Sequence, residues 1–474
     1  MPTATSQAGL HQDLKSITPT VPKTVTPLAT PKPAVPQILS GDWSTYLMGN
    51  NGFNSDETLI NATTATQLQK YWMYHARGSI SAQPLVVNGI IYWGSWDGLE
   101  HATNLSGQQL WATNLGKTSD DDCDPPVAGV ASTATVAPIT TNGKTTLMLF
   151  VGGGDANFYA LNASTGKVIW KVALGFSPDD FIWSSPLVYK GSIYIGVSSF
   201  GDCPSVQGKL VQLSTVDGSV QNIFDVVPDG CVGGSIWGSP TIDTQTGKIY
   251  VATGNADHCS TVEPYAIAIV ELNASDLSVV DDWQVPQSQW LDDSDFGTTP
   301  TLFNASINGQ AYALVGVVNK NGIYYTFDRN ALSNGPIWTL QVSNAEGSIA
   351  PSAWDGNRIY VGGGNTTING KFCQGSVRAL DPATGNIIWE QCLQDDRELA
   401  PITAAPGIVV AGNGHYVVVV EADTGKQLFS FKDPAKGSLF YAASAIAHGM
   451  MYVGNMDGNF FAFGYHLPGH NLAA

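Results

Sequence analysis

Tyr159-Ala160-Leu161-Asn162-Ala163-Ser164-Thr165-Gly166-Lys167 runs on to Trp170. The same order returns in Ala379-Leu380-Asp381-Pro382-Ala383-Thr384-Gly385 before Trp389, and in Glu421-Ala422-Asp423-Thr424-Gly425-Lys426 before Phe429. Each copy is an apolar strand, a turn and a strand ending in an aromatic residue. The turn residues supply their own geometry: Asp and Thr side chains bond nearby backbone amides, and Gly accepts positive φ. Working outward, the aromatic position recurs at Trp111, Trp170, Phe224, Trp283, Trp338, Trp389 and Phe429, with Trp72 as an eighth. Every unit has room for four short strands, the size of one blade of a radial sheet array.

This repeat predicts an all-β, eight-bladed propeller of four-stranded antiparallel blades over residues 41–474. The last copy, 442–463, holds only three strands. Its missing outer strand is expected from Leu68–Tyr74, lying beside Asn459–Phe463, which closes the ring and leaves no open edge between first and last blades. The recurring aromatics are expected to pack between neighbouring blades.

Composition agrees with short strands and tight turns. Of 474 residues, 51 are Gly and 13 Trp, while charged residues make up only 13%. No run of 18 apolar residues exists, so no membrane span is expected. A formal net charge of −18 argues against nonspecific nucleic-acid binding. Residues 16–36 read SITPTVPKTVTPLATPKPAVP, too poor in large apolar side chains to build a core. Residues 1–40 are therefore expected to be a disordered stalk or linker. No apolar signal core precedes it, so the mature form is expected to begin after a removed signal or anchor. A secreted or cell-surface location follows as an expectation, with a cytosolic protein carrying a disordered tail as the plainer reading.

Six cysteines suggest three disulfides. Hairpin register about Ala383 sets Cys373 near Cys392. Register about Val216 sets Cys203 near Cys231, leaving Cys123 and Cys259 by elimination. No CxxC or HxxxH metal spacing occurs, and no CxxCH for covalent haem.

Residues 233–320 resemble the quinoprotein alcohol dehydrogenases, eight-bladed propellers that bind pyrroloquinoline quinone (PQQ) and calcium. Trp237-Gly238-Ser239-Pro240 followed by Tyr250-Val251-Ala252-Thr253-Gly254-Asn255 is similar to the family's stretch from the Trp beneath the quinone to an Asn on calcium. Asp295-Phe296-Gly297 is similar to the step carrying the catalytic base. Asn319-Lys320-Asn321-Gly322-Ile323-Tyr324-Tyr325-Thr326-Phe327-Asp328-Arg329 resembles the strand whose Lys contacts the quinone. Ser198-Ser199-Phe200-Gly201-Asp202 stands where the family has a calcium-binding Glu, with Asp202 supplying a carboxylate one residue on. The resemblance implies Trp237 as platform, Lys320 at the quinone oxygen, Asn255 and Asp202 as calcium ligands, and Asp295 as base with Asp293 as its alternative. These residue types suit that chemistry: a flat quinone wants an aromatic face, calcium wants hard oxygen ligands, and hydride loss from an alcohol needs a proton acceptor.

The chain departs from the family pattern at Cys123-Asp124-Pro125-Pro126. There the family often has two adjacent cysteines over the quinone and a following Arg. Each candidate also has a plainer reading. Trp237 has a sibling in Trp183-Ser184-Ser185-Pro186 and could simply pack at the channel mouth. Asn255 could cap a turn, and Asp292-Asp293-Ser294-Asp295 could be a solvated acidic loop. Asn-x-Ser/Thr sequons such as Asn61, Asn162 and Asn365 matter only in a eukaryotic secretory host. Two functions follow from these residues. One is a PQQ- and calcium-assisted dehydrogenase of a polymeric or secondary alcohol, passing electrons to a separate acceptor. The other is a catalytically silent propeller serving as an extracellular binding or structural module.

Overall fold

The computed structural model describes residues 36–49, 51–344, 348–393 and 395–465. Eight four-stranded antiparallel blades follow one another in chain order. They span 85–114 (blade 1), 135–173 (2), 187–225 (3), 241–284 (4), 301–341 (5), 353–393 (6) and 403–432 (7). Blade 8 takes three strands from 445–464 and its outermost strand from Gln69–His75. That closing strand pairs antiparallel with Asn459–Gly464, with a bulge between Lys70 and Trp72. The closure expected from the three-stranded final repeat is therefore present. Among the described residues no helix is long and apolar enough to cross a membrane.

The turn-and-aromatic repeat is a blade-to-blade joint. Trp111, on the outer strand of blade 1, donates through Nε1 to Ala163 O in the turn of blade 2, at 3.0 Å. Trp338 donates to Pro382 O at 3.0 Å, and Trp389 to Ala422 O at 2.9 Å. The closing strand uses the same joint: Trp72 Nε1 donates to Leu105 O of blade 1 at 2.8 Å. The turn glycine is required twice over. Gly166 has φ +69°, and a Cβ on it would lie 2.6 Å from the Trp111 ring. A side chain there would cost both backbone strain and an indole clash.

One disulfide falls where register put it, Cys373–Cys392. The other two expected pairs are overturned: the bonds are Cys123–Cys203 and Cys231–Cys259. The ladder that set Cys203 against Cys231 stops at Lys209–Asp225. Beyond it the chain carrying Cys203 turns toward the loop of Cys123. Cys231 instead adjoins a separate short ladder, Val232–Gly233 with Ala256–Asp257, which brings up Cys259.

Most of the expected stalk lies outside the described residues. From Pro36 onward the chain meets the propeller: Gln37 O accepts from Asn88 Nδ2 at 2.8 Å. Trp43 then bridges Val86 of blade 1.

Candidate active site at the channel mouth

The innermost strands converge on an axis too narrow for eight complete sheet edges, so side-chain hydroxyls take over the backbone amides. Gln83 N donates to Thr133 Oγ1 (2.7 Å), Thr133 N to Ser185 Oγ (3.1 Å), Ser185 N to Ser239 Oγ (2.9 Å) and Ser239 N to Thr299 Oγ1 (3.0 Å). This belt gives the hydroxyls of the recurring Ser-Pro and Thr-Pro steps a role, since they satisfy these backbone amides. Above it a cavity of about 150 Å³ opens at the axis, walled by Trp183, Trp237, Ile349, Leu399 and Tyr441. Tyr46 forms its floor and bonds Thr299, while burial raises its hydroxyl well above the ordinary range. The sequence reading did not anticipate this floor. Nothing local in Ser44-Thr45-Tyr46 announces a segment that crosses the axis.

The sequence-predicted residues gather at this mouth. Asp202, Asn255, Asp293 and Asp295 line one cavity of about 300 Å³. Lys320 Nζ joins that cavity to the platform. It donates to both oxygens of Asp293 (2.8 and 2.9 Å) and to Asp295 Oδ2 (3.2 Å). It also stands 5.1 Å from the centroid of the Trp237 ring. Burial works against the charged form of Lys320, but the carboxylates of Asp295 and Asp293 outweigh it and hold the ammonium above its usual range.

Asp295 is fixed from two sides. Its Oδ1 accepts from Asn255 N at 2.6 Å and its Oδ2 from Lys320. The backbone assists: Lys320 N donates to Asp295 O at 3.0 Å, and Asn319 Nδ2 to Ser294 O at 2.6 Å. Gly254 is needed here, because a Cβ on it would stand 2.7 Å from Asp295 Oδ1. Asp293 is set differently. Its side chain is 53% exposed against 13% for Asp295, and its hydrogen bonds go to Lys320. Geometry thus separates the two carboxylates into a fixed group facing the cavity and a counter-ion at its rim.

Asn255 is also partly engaged, since its Oδ1 accepts from Ser294 N at 3.1 Å. That bond ties Asn255 to the Asp292–Asp295 loop, and a second lone pair remains on the oxygen. Asp202 sits at φ 58° on the loop that Cys203 ties to Cys123. Burial raises its carboxyl, a Ser199 hydrogen bond opposes that, and the charges of Asp295 and Asp293 add to the rise. An oxygen-rich pocket with crowded carboxylates is the donor set of a hard cation.

Trp237 lies across Gly297: a Cβ there would fall inside the van der Waals envelope of Cη2 and Cζ2 of the indole. Trp183 is turned away from the axis floor by its own partners, donating to Phe200 O at 3.1 Å and meeting Trp96 edge-on at 5.8 Å. These aromatics pack around Cys123 and Phe200, beside the Cys123–Cys203 bond. An aromatic wall tied down by a cross-loop disulfide stands where the family has adjacent cysteines.

Comparisons with known proteins agree with this architecture. The sequence profile described as outer membrane protein assembly factor BamB matches residues 97–260 and 320–464. The profile described as glucose/ethanol/alcohol dehydrogenase, beta-propeller domain, matches residues 229–354, the stretch holding Trp237, Asn255, Asp295 and Lys320. A polyvinylalcohol dehydrogenase of Pseudomonas sp. is 25% identical over 83% of this chain and 70% of its own length. One from Sphingopyxis sp. is 25% identical over 87% and 71%. The crystal structure of a quinohemoprotein alcohol dehydrogenase from Comamonas testosteroni superposes with a TM-score of 0.70 at 18% identity, covering 92% of this chain and 83% of that one. The chain belongs to the quinoprotein alcohol dehydrogenase-like family of eight-bladed β-propellers.

Proposed function

We propose that the protein is a PQQ-dependent, calcium-assisted dehydrogenase of an alcohol, with polymeric or secondary alcohols as its substrate class. The observation that carries this reading is the convergence of Trp237, Lys320 and Asp295 from two successive blades at one channel mouth. When bound, the quinone supplies the two-electron acceptor and the calcium ion supplies Lewis acidity. Trp237 offers the flat face, Lys320 a positive charge beside it, and Asp202 and Asn255 oxygens for the ion. Asp295, held by Asn255 N and Lys320, is the proton acceptor. Its fixed orientation holds the carboxylate at the cavity wall without reorganisation at the moment of reaction. Asp293 pairs with Lys320 and keeps it over the platform.

The polymeric substrate class draws support from the relatives named polyvinylalcohol dehydrogenase. Three disulfides support an oxidising, extracellular setting. A separate electron acceptor belongs to the same proposal.

The test is reconstitution with PQQ and calcium, followed by dye-linked oxidation of secondary alcohols and polyvinyl alcohol. The expected result is PQQ uptake with turnover, and an Asp295→Asn variant that keeps PQQ but loses turnover by ~10²–10⁴-fold. Folded protein that takes up no PQQ would overturn the reading.

A further inference from the structure

A cavity larger than the two at the channel mouth lies elsewhere among the described residues. It measures about 680 Å³ and opens between blades 4 and 5, at the opposite end of the innermost strand Thr241–Asp243 from Trp237. Asn51, from the segment that crosses the axis, reaches its inner end. That volume lies within the ~300–1,000 Å³ of small-molecule sites.

We infer that this cavity is a second binding site, for a neutral polyhydroxylated ligand of saccharide type. Four features of its wall point there. Glu271 is 4% exposed, lines the cavity and makes no hydrogen bond among the described residues. Its charged neighbour, Lys248 Nζ, is 3.9 Å away. A buried carboxyl without a hydrogen-bond partner, facing an open volume, is a group prepared for a ligand hydroxyl. Burial lifts this carboxyl to about 7, with Lys248 opposing and Asp281 and Asp243 adding to the rise. Near neutral pH it is therefore able both to donate and to accept.

Charge is the second feature. Lys248 and Arg329 balance Asp243 and Asp281 on the same wall, and Glu271 adds a partial negative charge near neutral pH, so no net positive field recruits an anion. Third, the cations are already engaged. Arg329 Nη1 pairs with Asp243 at 3.1 Å and Nη2 donates to Asn304 Oδ1 at 3.0 Å, while Lys248 Nζ donates to Asn273 Oδ1 at 2.6 Å. Their bonded N–H groups are held as oriented donors, and Arg329 Nε is a further buried donor without a partner among the described residues, open to a ligand hydroxyl. Fourth, half-buried Trp354 and exposed Val280 supply apolar surface beside these polar groups. Alternating hydroxyl and C–H faces are what such a mixed wall matches. The site is independent of the cofactor reading.

The test is saturation-transfer NMR and calorimetric titration with neutral maltohexaose, cellohexaose and xylohexaose. A sulfated hexasaccharide and cationic chitosan hexamer serve as the charged arms, and a polyvinyl alcohol oligomer as a non-saccharide polyol. At least one neutral oligosaccharide is expected to bind, and to bind more tightly than the charged probes. Glu271→Leu and Trp354→Ala are each expected to weaken it at least tenfold, with near-UV circular dichroism unchanged. Asn330→Lys, at the exposed lip of the cavity, blocks entry without touching the core and is expected to abolish binding. Preference for a charged probe, binding of the polyvinyl alcohol oligomer alone, no binding of any neutral oligosaccharide, or affinity unmoved by Asn330→Lys would each overturn the inference.

Discussion

Gly297→Ala isolates the platform from the rest of the site. The added methyl would fall within the van der Waals envelope of the Trp237 ring edge, and 2.8 Å from Ile349 Cγ2. Contact that close cannot persist, so the indole must shift from its place. Overpacking of this kind costs ~1–3 kcal/mol. Global melting reports it poorly. With ~2.1 cal/mol/K of unfolding entropy per residue, about 430 ordered residues have ~0.9 kcal/mol/K, so the shift is only a few degrees at most. Ligand binding reports it well. If Trp237 swings into the channel to relieve the clash, a flat ligand must push it back, and the strain appears as ~5–150-fold weaker affinity. The assay is PQQ titration followed by quenching of tryptophan fluorescence, on wild type and variant, with melting measured in parallel. Unchanged PQQ affinity and unchanged indole emission in a folded Gly297→Ala variant would refute the claim that Gly297 sets the platform.

Other perturbations follow from named contacts. Trp72→Ala removes the indole that joins the closing strand to blade 1 and packs on Tyr452 and Phe460. A destabilisation of ~3–5 kcal/mol is expected in chemical unfolding, and a loss below 1 kcal/mol would mean the closure does not depend on that joint. Replacing Cys123 and Cys203 by Ser frees an 80-residue separation, against 19 for Cys373 and Cys392. Loop entropy predicts about 1 kcal/mol more destabilisation for the first pair, and the opposite order in guanidinium titrations would count against that account. Glu271 is raised from 4.5 to about 7 in the folded state, so the folded protein binds more protons than the unfolded chain between those values. Stability is expected to fall as pH rises through that window and to level off above it. The loss is ~2 kcal/mol, less than a dry group would give, because the carboxyl meets a solvent-filled cavity. Glu271→Gln should flatten the difference between melting at pH 5 and pH 8, and an unchanged slope would place the titration elsewhere.

The sequence by itself determined the architecture. Strand, turn and aromatic recur with the length of one blade, and the turn glycines Gly107, Gly166, Gly218, Gly385 and Gly425 each meet an indole from the preceding blade. A local pattern repeated eight times leaves one global arrangement, and a three-stranded last repeat demands a strand from the other end of the chain. The candidate site was legible for a similar reason. Trp237, Asn255, Asp295 and Lys320 lie in loops that directly flank strands of blades 4 and 5, so their spacing carries over into three dimensions. What the sequence could not settle lies beyond the ladders. Cys203 and Cys231 are in register only if the strands continue, and they stop at Lys209 and Asp225, so the cysteines pair with other loops. The separation of Asp293 from Asp295 depends on Lys320 arriving from 25 residues later in the chain. Tyr46 beneath the platform and buried Glu271 between blades 4 and 5 come from contacts across blades. Backbone register propagates only as far as its hydrogen bonds. Past that point, the burial of charges and the meeting of distant loops are decided by packing alone.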